Sequence, residues 1–168
     1  MAKVGRAAHE GARKNILELT ADKTLSATDT GKTILLNSTS ALAVTLPDPA
    51  NSPVGTFFRF VVITANDNAY TISTADSTDT TGDMFIGSLV YANAEAAIAG
   101  NGSDNIGLII PGADDNKITL DANLADCGGE IGTWIECVRV STSQWLLEGL
   151  VVTDDDDGTG GAVLSDVD

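Results

Sequence analysis

Short β-forming runs separated by turn residues constrain this chain more than any other feature of its sequence. From Asn15 onward, runs rich in Val, Ile, Leu, Thr and aromatic residues alternate with clusters of Asp, Asn, Gly and Ser. The runs recur at roughly eight to twelve residues, the spacing at which each strand crosses a packed sheet and then turns. The predicted strands are Ile16–Thr20, Thr33–Asn37, Ala43–Leu46, Thr56–Thr64, Tyr70–Ser73, Met84–Tyr91, Ile106–Ile110, Lys117–Leu120, Thr133–Val140 and Trp145–Val152.

This pattern predicts an all-β domain, either a β-sandwich or a jelly-roll-like barrel of about ten short strands. A chain of 168 residues suits one such domain, because it can bury roughly two-thirds of its unfolded surface in a single core. Only Ala92–Gly100 resists the interpretation, since its alanines and terminal glycine fit a helical turn as well as a loop or bulged strand.

The composition changes at both ends of the predicted domain. Residues 1–15 contain two glycines and no apolar face, and they are expected to form a basic extended arm. Residues 16–152 form the predicted β-domain. Residues 153–168 begin with the acidic block Asp154–Asp157 and lack core periodicity, so they are expected to form an acidic flexible tail.

In three segments the residue types predict the local structure. Three prolines in Leu46–Pro53 remove ladder donors and predict a loop. The polar stretch between Val140 and Trp145 predicts a β-hairpin. Phe57–Ile63 is almost continuously apolar, which predicts a central strand covered on both faces and requires Arg59 to reach an edge or a carboxylate.

Charge is distributed unevenly along the chain. Residues 1–14 carry four cations and one carboxylate, a net of +3, which leaves −18 on the remainder of a chain whose total is −15. A domain with this much negative charge repels phosphate backbones and anionic lipids. We therefore expect neither nucleic acid nor a membrane as its partner. No apolar run is long enough to span a bilayer and no secretory h-region is evident, so synthesis in the cytoplasm is expected.

The residues that usually perform catalysis are scarce. The only histidine, His9, lies in the predicted arm, where nothing would orient it as a base. Cys127 and Cys137 are expected to be reduced, buried side chains, with a disulfide between them as the alternative. We therefore expect a non-enzymatic protein without catalytic residues, metal or cofactor, and a hydrolase that uses paired carboxylates stays open as an alternative.

Two further alternatives involve acidic loops and aromatic side chains. Calcium is a possible ligand of the segments 76–83, 114–116 and 154–157, although none has the spacing of a calcium-loop motif. Trp134 and Trp145 flank the predicted hairpin and are expected to pack in the core, whereas a glycan-binding module would use Trp134, Trp145 or Tyr91 as a stacking platform.

The order of several segments resembles phage virion β-domains, particularly the capsid decoration (cement) proteins of tailed phages. The resemblance covers about residues 19–150, and related signatures also occur in tail-fibre modules. The segments that carry it are Leu25–Asn37, Val44–Pro47, Thr56–Val61, Gly82–Gly87, Asp121–Leu124, and Gly132–Glu136 with Trp145 across the hairpin.

The resemblance implies a structural virion protein located on the capsid surface, with the major capsid protein as its partner. It would stabilise the expanded shell by bridging neighbouring capsomers, as a homo-oligomer for which symmetry favours a trimer and also allows a dimer. An extended basic arm can pair with a neighbouring subunit, so the expected partner-binding residues are Lys3, Arg6, Arg13 and Lys14. The alternative is a tail-fibre or glycan-binding β-module.

Overall fold

The computed structural model describes residues 15–48, 51–75, 84–93, 106–124, 127–153 and 163–165. Within these ranges the chain forms twelve short strands and one 3-10 turn, Ala27–Asp29. The strands are β1 (Ile16–Leu19), β2 (Lys23–Thr24), β3 (Thr33–Leu36), β4 (Leu42–Thr45), β5 (Phe57–Val62), β6 (Tyr70–Ser73), β7 (Met84–Asn93), β8 (Ile106–Ile109), β9 (Lys117–Leu120), β10 (Trp134–Arg139), β11 (Gln144–Thr153) and β12 (Leu164–Ser165).

The strands form two sheets that pack face to face as an all-β sandwich. Sheet A has seven strands in the order β1-β3-β5-β10-β11-β7-β8, and sheet B has five in the order β12-β9-β6-β4-β2. Among the described residues both sheets are open, with β1 and β8 at the edges of sheet A and β12 and β2 at those of sheet B, so of the two predicted architectures the sandwich is confirmed.

The first half of the chain winds between the two sheets. Strands β1 to β6 alternate between sheet A and sheet B, and each strand is parallel to the one that follows it in the same sheet. Parallel neighbours need a crossover connection, and here the crossover is a strand of the opposite sheet rather than a helix. The sequence did not predict these parallel pairs, because the strand spacing alone does not distinguish them from hairpins.

The second half of the chain closes the sandwich mainly with antiparallel pairs. Val140 donates its backbone N–H to the Gln144 carbonyl at 3.1 Å, which closes the predicted β10–β11 hairpin. Gly149 lies where β11 crosses close to β10, since a Cβ at this position would lie 2.3 Å from the Trp134 carbonyl oxygen. A side chain would therefore force the two strands apart.

A single apolar core lies between the sheets. The longer strands contribute alternate residues to it, as the pleat requires, and the inner face of β5 supplies Phe58, Phe60 and Val62. Within the described residues of a single chain, β5 is not covered on both faces as predicted: Phe57, Arg59 and Val61 lie on its outer face, where Phe57 is 41% exposed.

The C-terminal residues differ in part from the sequence prediction. Leu164 and Ser165 form β12, which pairs antiparallel with β9, and Val163 is buried in the core. The prediction of a flexible tail over 153–168 therefore does not hold for residues 163–165, and Thr153 still belongs to β11. Residues 154–162 and 166–168 lie outside the described residues, as does the predicted arm up to residue 14.

The remaining sequence predictions on local structure have mixed outcomes. The ten predicted strands are all present with boundaries shifted by at most two residues, and the short strands β2 and β12 were missed. Ala92 and Asn93 belong to β7, whereas residues 94–100 lie outside the described residues. No helix in the described part of the chain is long and apolar enough to cross a membrane.

Candidate functional site

The outer face of sheet B is polar. Strand pairing places one row of hydroxyl and lysine side chains across all five strands, and a second row across β4, β6 and β9. This is the usual alternation of a half-solvated sheet, with apolar residues inward and polar residues outward. The first row is Thr24, Thr45, Ser73, Lys117 and Ser165, and the second is Ala43, Thr71 and Thr119.

The outer face of sheet A carries more apolar side chains than that of sheet B, in two sets separated by a polar row. Strand pairing aligns a continuous set of apolar side chains from β3 to β8, which we term the outer apolar row. A second apolar set, on β5, β10, β11 and β7, lies four residues away along the strands. The outer apolar row is Leu35, Val61, Trp134, Leu150, Val90 and Leu108, and the second set is Phe57, Val138, Leu146 and Ile86.

The outer apolar row ends at a free sheet edge. Strand β8 is the last strand of sheet A, and Ile106, Leu108 and Ile110 are 73%, 68% and 70% exposed. Residues 105–113 contain no charged side chain, in a protein whose net charge is −15. Natural edge strands usually carry a charge or a proline that discourages pairing, and none stands within β8. Exposed apolar side chains clustered at a sheet edge make this edge a candidate contact surface.

A polar row lies between the two apolar sets and contains the charged groups of this face. Thr33, Arg59, Glu136, Glu148 and Ser88 are aligned across β3, β5, β10, β11 and β7. The guanidinium carbon of Arg59 lies 4.2 Å from the centroid of the Trp134 ring, a cation–π contact. Glu136 is the direct cross-strand neighbour of Arg59 on β5 and of Glu148 on β11, so the cation of this row lies beside Glu136 while the two carboxylates repel each other.

The polar row borders a shallow groove at the β3 side of the face. The groove has a volume of about 240 Å³ and is lined by Gly31, Lys32, Thr33, Phe57, Arg59 and Glu136. Lys32 forms an ion pair with Asp29 of the 3-10 turn. The groove thus combines an exposed aromatic ring with both signs of charge.

The structure does not describe the residues predicted from sequence to bind a partner. Lys3, Arg6, Arg13 and Lys14 lie outside the described residues, as does His9. Asn15, the first described residue, immediately precedes the edge strand β1 and accepts a hydrogen bond from the Thr33 amide at 2.8 Å. The basic segment is therefore connected to the body at a free edge of sheet A.

The three aromatic residues considered for glycan stacking also lie apart. Trp145 is completely buried, as predicted for core packing, whereas Trp134 is half-buried on the outer face of sheet A. Tyr91 alternates with Val90 along β7 and faces the core side. Only Trp134 of the three can therefore present its ring to a ligand on the outer face.

The two cysteines and the acidic loop 114–116 have surroundings that indicate a role in folding rather than in binding. Cys127 and Cys137 are free and buried; burial raises the pKa of the Cys137 thiol, and the adjacent Glu136 carboxylate adds to that rise. In the loop 114–116, Asp115 accepts a hydrogen bond from the Gly112 amide at 2.7 Å. Among the described residues no three His, Cys, Asp or Glu side chains form a potential metal site, and the acidic segments 76–83 and 154–157 lie outside those residues.

Sequence reasoning missed the contrast between the two outer faces. The sequence does contain a signal for an apolar outer face. In Trp145–Val152 and Met84–Tyr91, as in Phe57–Ile63, apolar residues occur at both odd and even positions, so they lie on both faces of the strand. Only the strand order revealed that these three runs lie in one sheet and that their outward residues align.

No protein-family model matches this sequence, and no curated protein is significantly similar to it.

Proposed function

We propose that this chain is a structural virion protein that binds the outer surface of a phage capsid and stabilises the expanded shell by bridging neighbouring capsomers. The observation that carries the proposal is the point at which the basic segment joins the acidic body: the first described residue, Asn15, leads directly into β1, the edge strand of sheet A among the described residues. From that edge it can reach a neighbouring subunit without removing a strand from the core. Such a role needs no catalytic residue.

In this proposal the acidic β-domain and the basic N-terminal segment have different roles. The body carries −18 and resists non-specific association, whereas the segment of residues 1–14 carries +3. Lys3, Arg6, Arg13 and Lys14 would contact carboxylates of the major capsid protein on the shell. Because the contact surface exists only on the expanded shell, binding shifts the equilibrium toward that state.

The proposal is tested by binding the purified protein to expanded heads that lack it. A variant in which Lys3, Arg6, Arg13 and Lys14 are all replaced by glutamine is compared with the control Lys23→Gln/Lys117→Gln. Four surface contacts at about 0.5 kcal/mol each predict a loss of affinity of roughly thirtyfold for the arm variant only. Head occupancy that is equal for the two variants, at unchanged melting temperature, would refute the anchoring role.

A second candidate, a tail-fibre or glycan-binding β-module, is favoured by the groove beside Arg59 and by the half-buried ring of Trp134. A sugar would have to displace the Arg59 guanidinium from that ring. Titration with glycans should then change the fluorescence of Trp134 while the buried Trp145 stays constant, and Trp134→Phe should abolish the response. A titration without any response would remove this candidate.

A further inference from the structure

We propose that the outer face of sheet A binds a second copy of this chain through a two-fold axis, giving a dimer of sandwiches with four sheet layers. The proposal does not depend on the virion role, since it concerns only how two copies associate. It is based on the size of the apolar face, its charge pattern and its contrast with sheet B.

The first observation is that the two outer faces differ although they belong to the same small domain. Sheet B exposes hydroxyl and lysine side chains, as a solvated sheet does. Sheet A exposes the outer apolar row, with Trp134 and Leu150 paired near its middle. Apart from its polar row, the outer face of this mixed sheet is apolar, and an apolar sheet face is expected to be covered by a further protein layer.

The second observation is the size of the face. Seven strands have six spacings of about 4.8 Å, so sheet A is roughly 29 Å wide, and a six-residue strand such as β5 adds a height of about 20 Å. Packing two such faces would bury on the order of 1,200 Å², which exceeds the roughly 1,000 Å² that a stable interface needs. The edge strand β8 alone, with four residues, offers much less.

The third observation is that two positions of the polar row, Arg59 and Glu148, are complementary across a two-fold axis. A two-fold axis parallel to β10, the central strand of sheet A, exchanges the positions of β5 and β11. Arg59 of one copy then lies over Glu148 of the other, and the reverse contact forms at the same time. These contacts bring a cation to Glu148, whereas Glu136 lies opposite Glu136 of the other copy and has Arg59 of its own chain as a cross-strand neighbour. The same axis keeps each apolar row opposite its own copy.

Residues at the centre of the face have the chemistry of interface anchors. Trp134 and Arg59 are stacked at 4.2 Å, and tryptophan and arginine are the residue types most enriched among energetically dominant interface positions. Both are held in place by the sheet before a partner arrives, which reduces the entropy lost on binding. The aligned packing of two sheets fits this geometry.

Sedimentation equilibrium on the full chain tests the proposal. The expected result is a reversible monomer–dimer equilibrium between low micromolar and near-millimolar protein. Leu150→Lys, on the outer face of β11, should weaken the dimer at least thirtyfold, and Thr71→Lys, the matched change on sheet B, should leave it intact.

A charge exchange tests the predicted contact independently of folding effects. Arg59→Glu and Glu148→Arg should each weaken self-association about tenfold or more, and the double variant should recover it. When the two single variants are mixed, opposite charges meet at both contacts, so the mixture should form heterodimers in preference to either homodimer.

Three results would overturn the proposal. A chain that stays monomeric at every concentration leaves the face to another protein or to other parts of the chain. A mass of three copies excludes the two-fold contact. A dimer that Leu150→Lys and the charge exchange do not affect uses a different surface. Loss of head binding by the arm variant is unaffected by any of these outcomes, so the two proposals fail separately.

Discussion

Tyr70 shows how one buried polar atom can fix several segments of a β-sandwich. Its ring is fully buried, and its hydroxyl accepts a hydrogen bond from the Ser38 amide at 2.9 Å while the carbonyls of Ser38 and Thr64 lie at 2.7 and 2.9 Å. Burial raises the pKa of this hydroxyl above its ordinary value, so it stays protonated and able to donate. The hydroxyl thereby connects β6 to the connections that follow β3 and β5.

Replacing Tyr70 by phenylalanine should lower the free energy of unfolding by about 1–3 kcal/mol, because buried N–H and C=O groups lose their partner while the ring packing stays. Urea unfolding monitored by tryptophan fluorescence measures the change. Tyr70→Leu, which also removes ring contacts, should cost more. Equal stability of the phenylalanine variant and the natural chain would mean that water replaces the hydroxyl.

At the scale of an element, the 3-10 turn Ala27–Asp29 depends on one carboxylate. Asp29 accepts hydrogen bonds from the backbone N–H and the side-chain hydroxyl of Ser26, both at 3.0 Å, and it forms an ion pair with Lys32. Burial alone would raise the pKa of this carboxyl, but the hydrogen bonds from Lys32 and Ser26 outweigh burial and hold the pKa below its ordinary value. The ionised form therefore stabilises the folded state.

This lowered pKa predicts a dependence of stability on pH. The contribution of Asp29 is fully present above the pKa of the unfolded chain, about 3.9, and is lost as the pH falls through the lower pKa of the folded chain. Asp29→Asn should therefore cost about 1–2 kcal/mol at neutral pH and nothing at the acid end. Unfolding free energies measured across this range, with the exposed Asp67→Asn as control, test it. A cost that does not change with pH would contradict the prediction.

At the scale of the whole molecule, the proposed dimer links stability to protein concentration. Binding of a second copy to the folded chain stabilises it by mass action, so the melting temperature should rise as the protein concentration rises. Calorimetry over a hundredfold range of concentration should show an increase of a few degrees for the natural chain. The Leu150→Lys variant should melt at a temperature that is independent of concentration, and a similar rise for that variant would argue against the proposed face.

Much of this structure follows from the sequence alone. The β-runs predicted all ten long strands, and local turn chemistry predicted the β10–β11 hairpin, since both depend on residues close together in the chain. The burial of Trp145 and the free, buried state of both cysteines also agree with the sequence. These properties are set by hydrophobicity and local backbone preference.

Tertiary structure decided which strands are neighbours, and with that the character of each face. Leu35, Val61 and Leu108 are distant in sequence, and only the strand order of sheet A aligns them with Trp134 and Leu150. The two-residue strands β2 and β12 likewise form only because β4 and β9 offer free edges beside them. Alternation within a strand shows which residues point outward. The pairing between strands determines which other outward-pointing residues lie next to them.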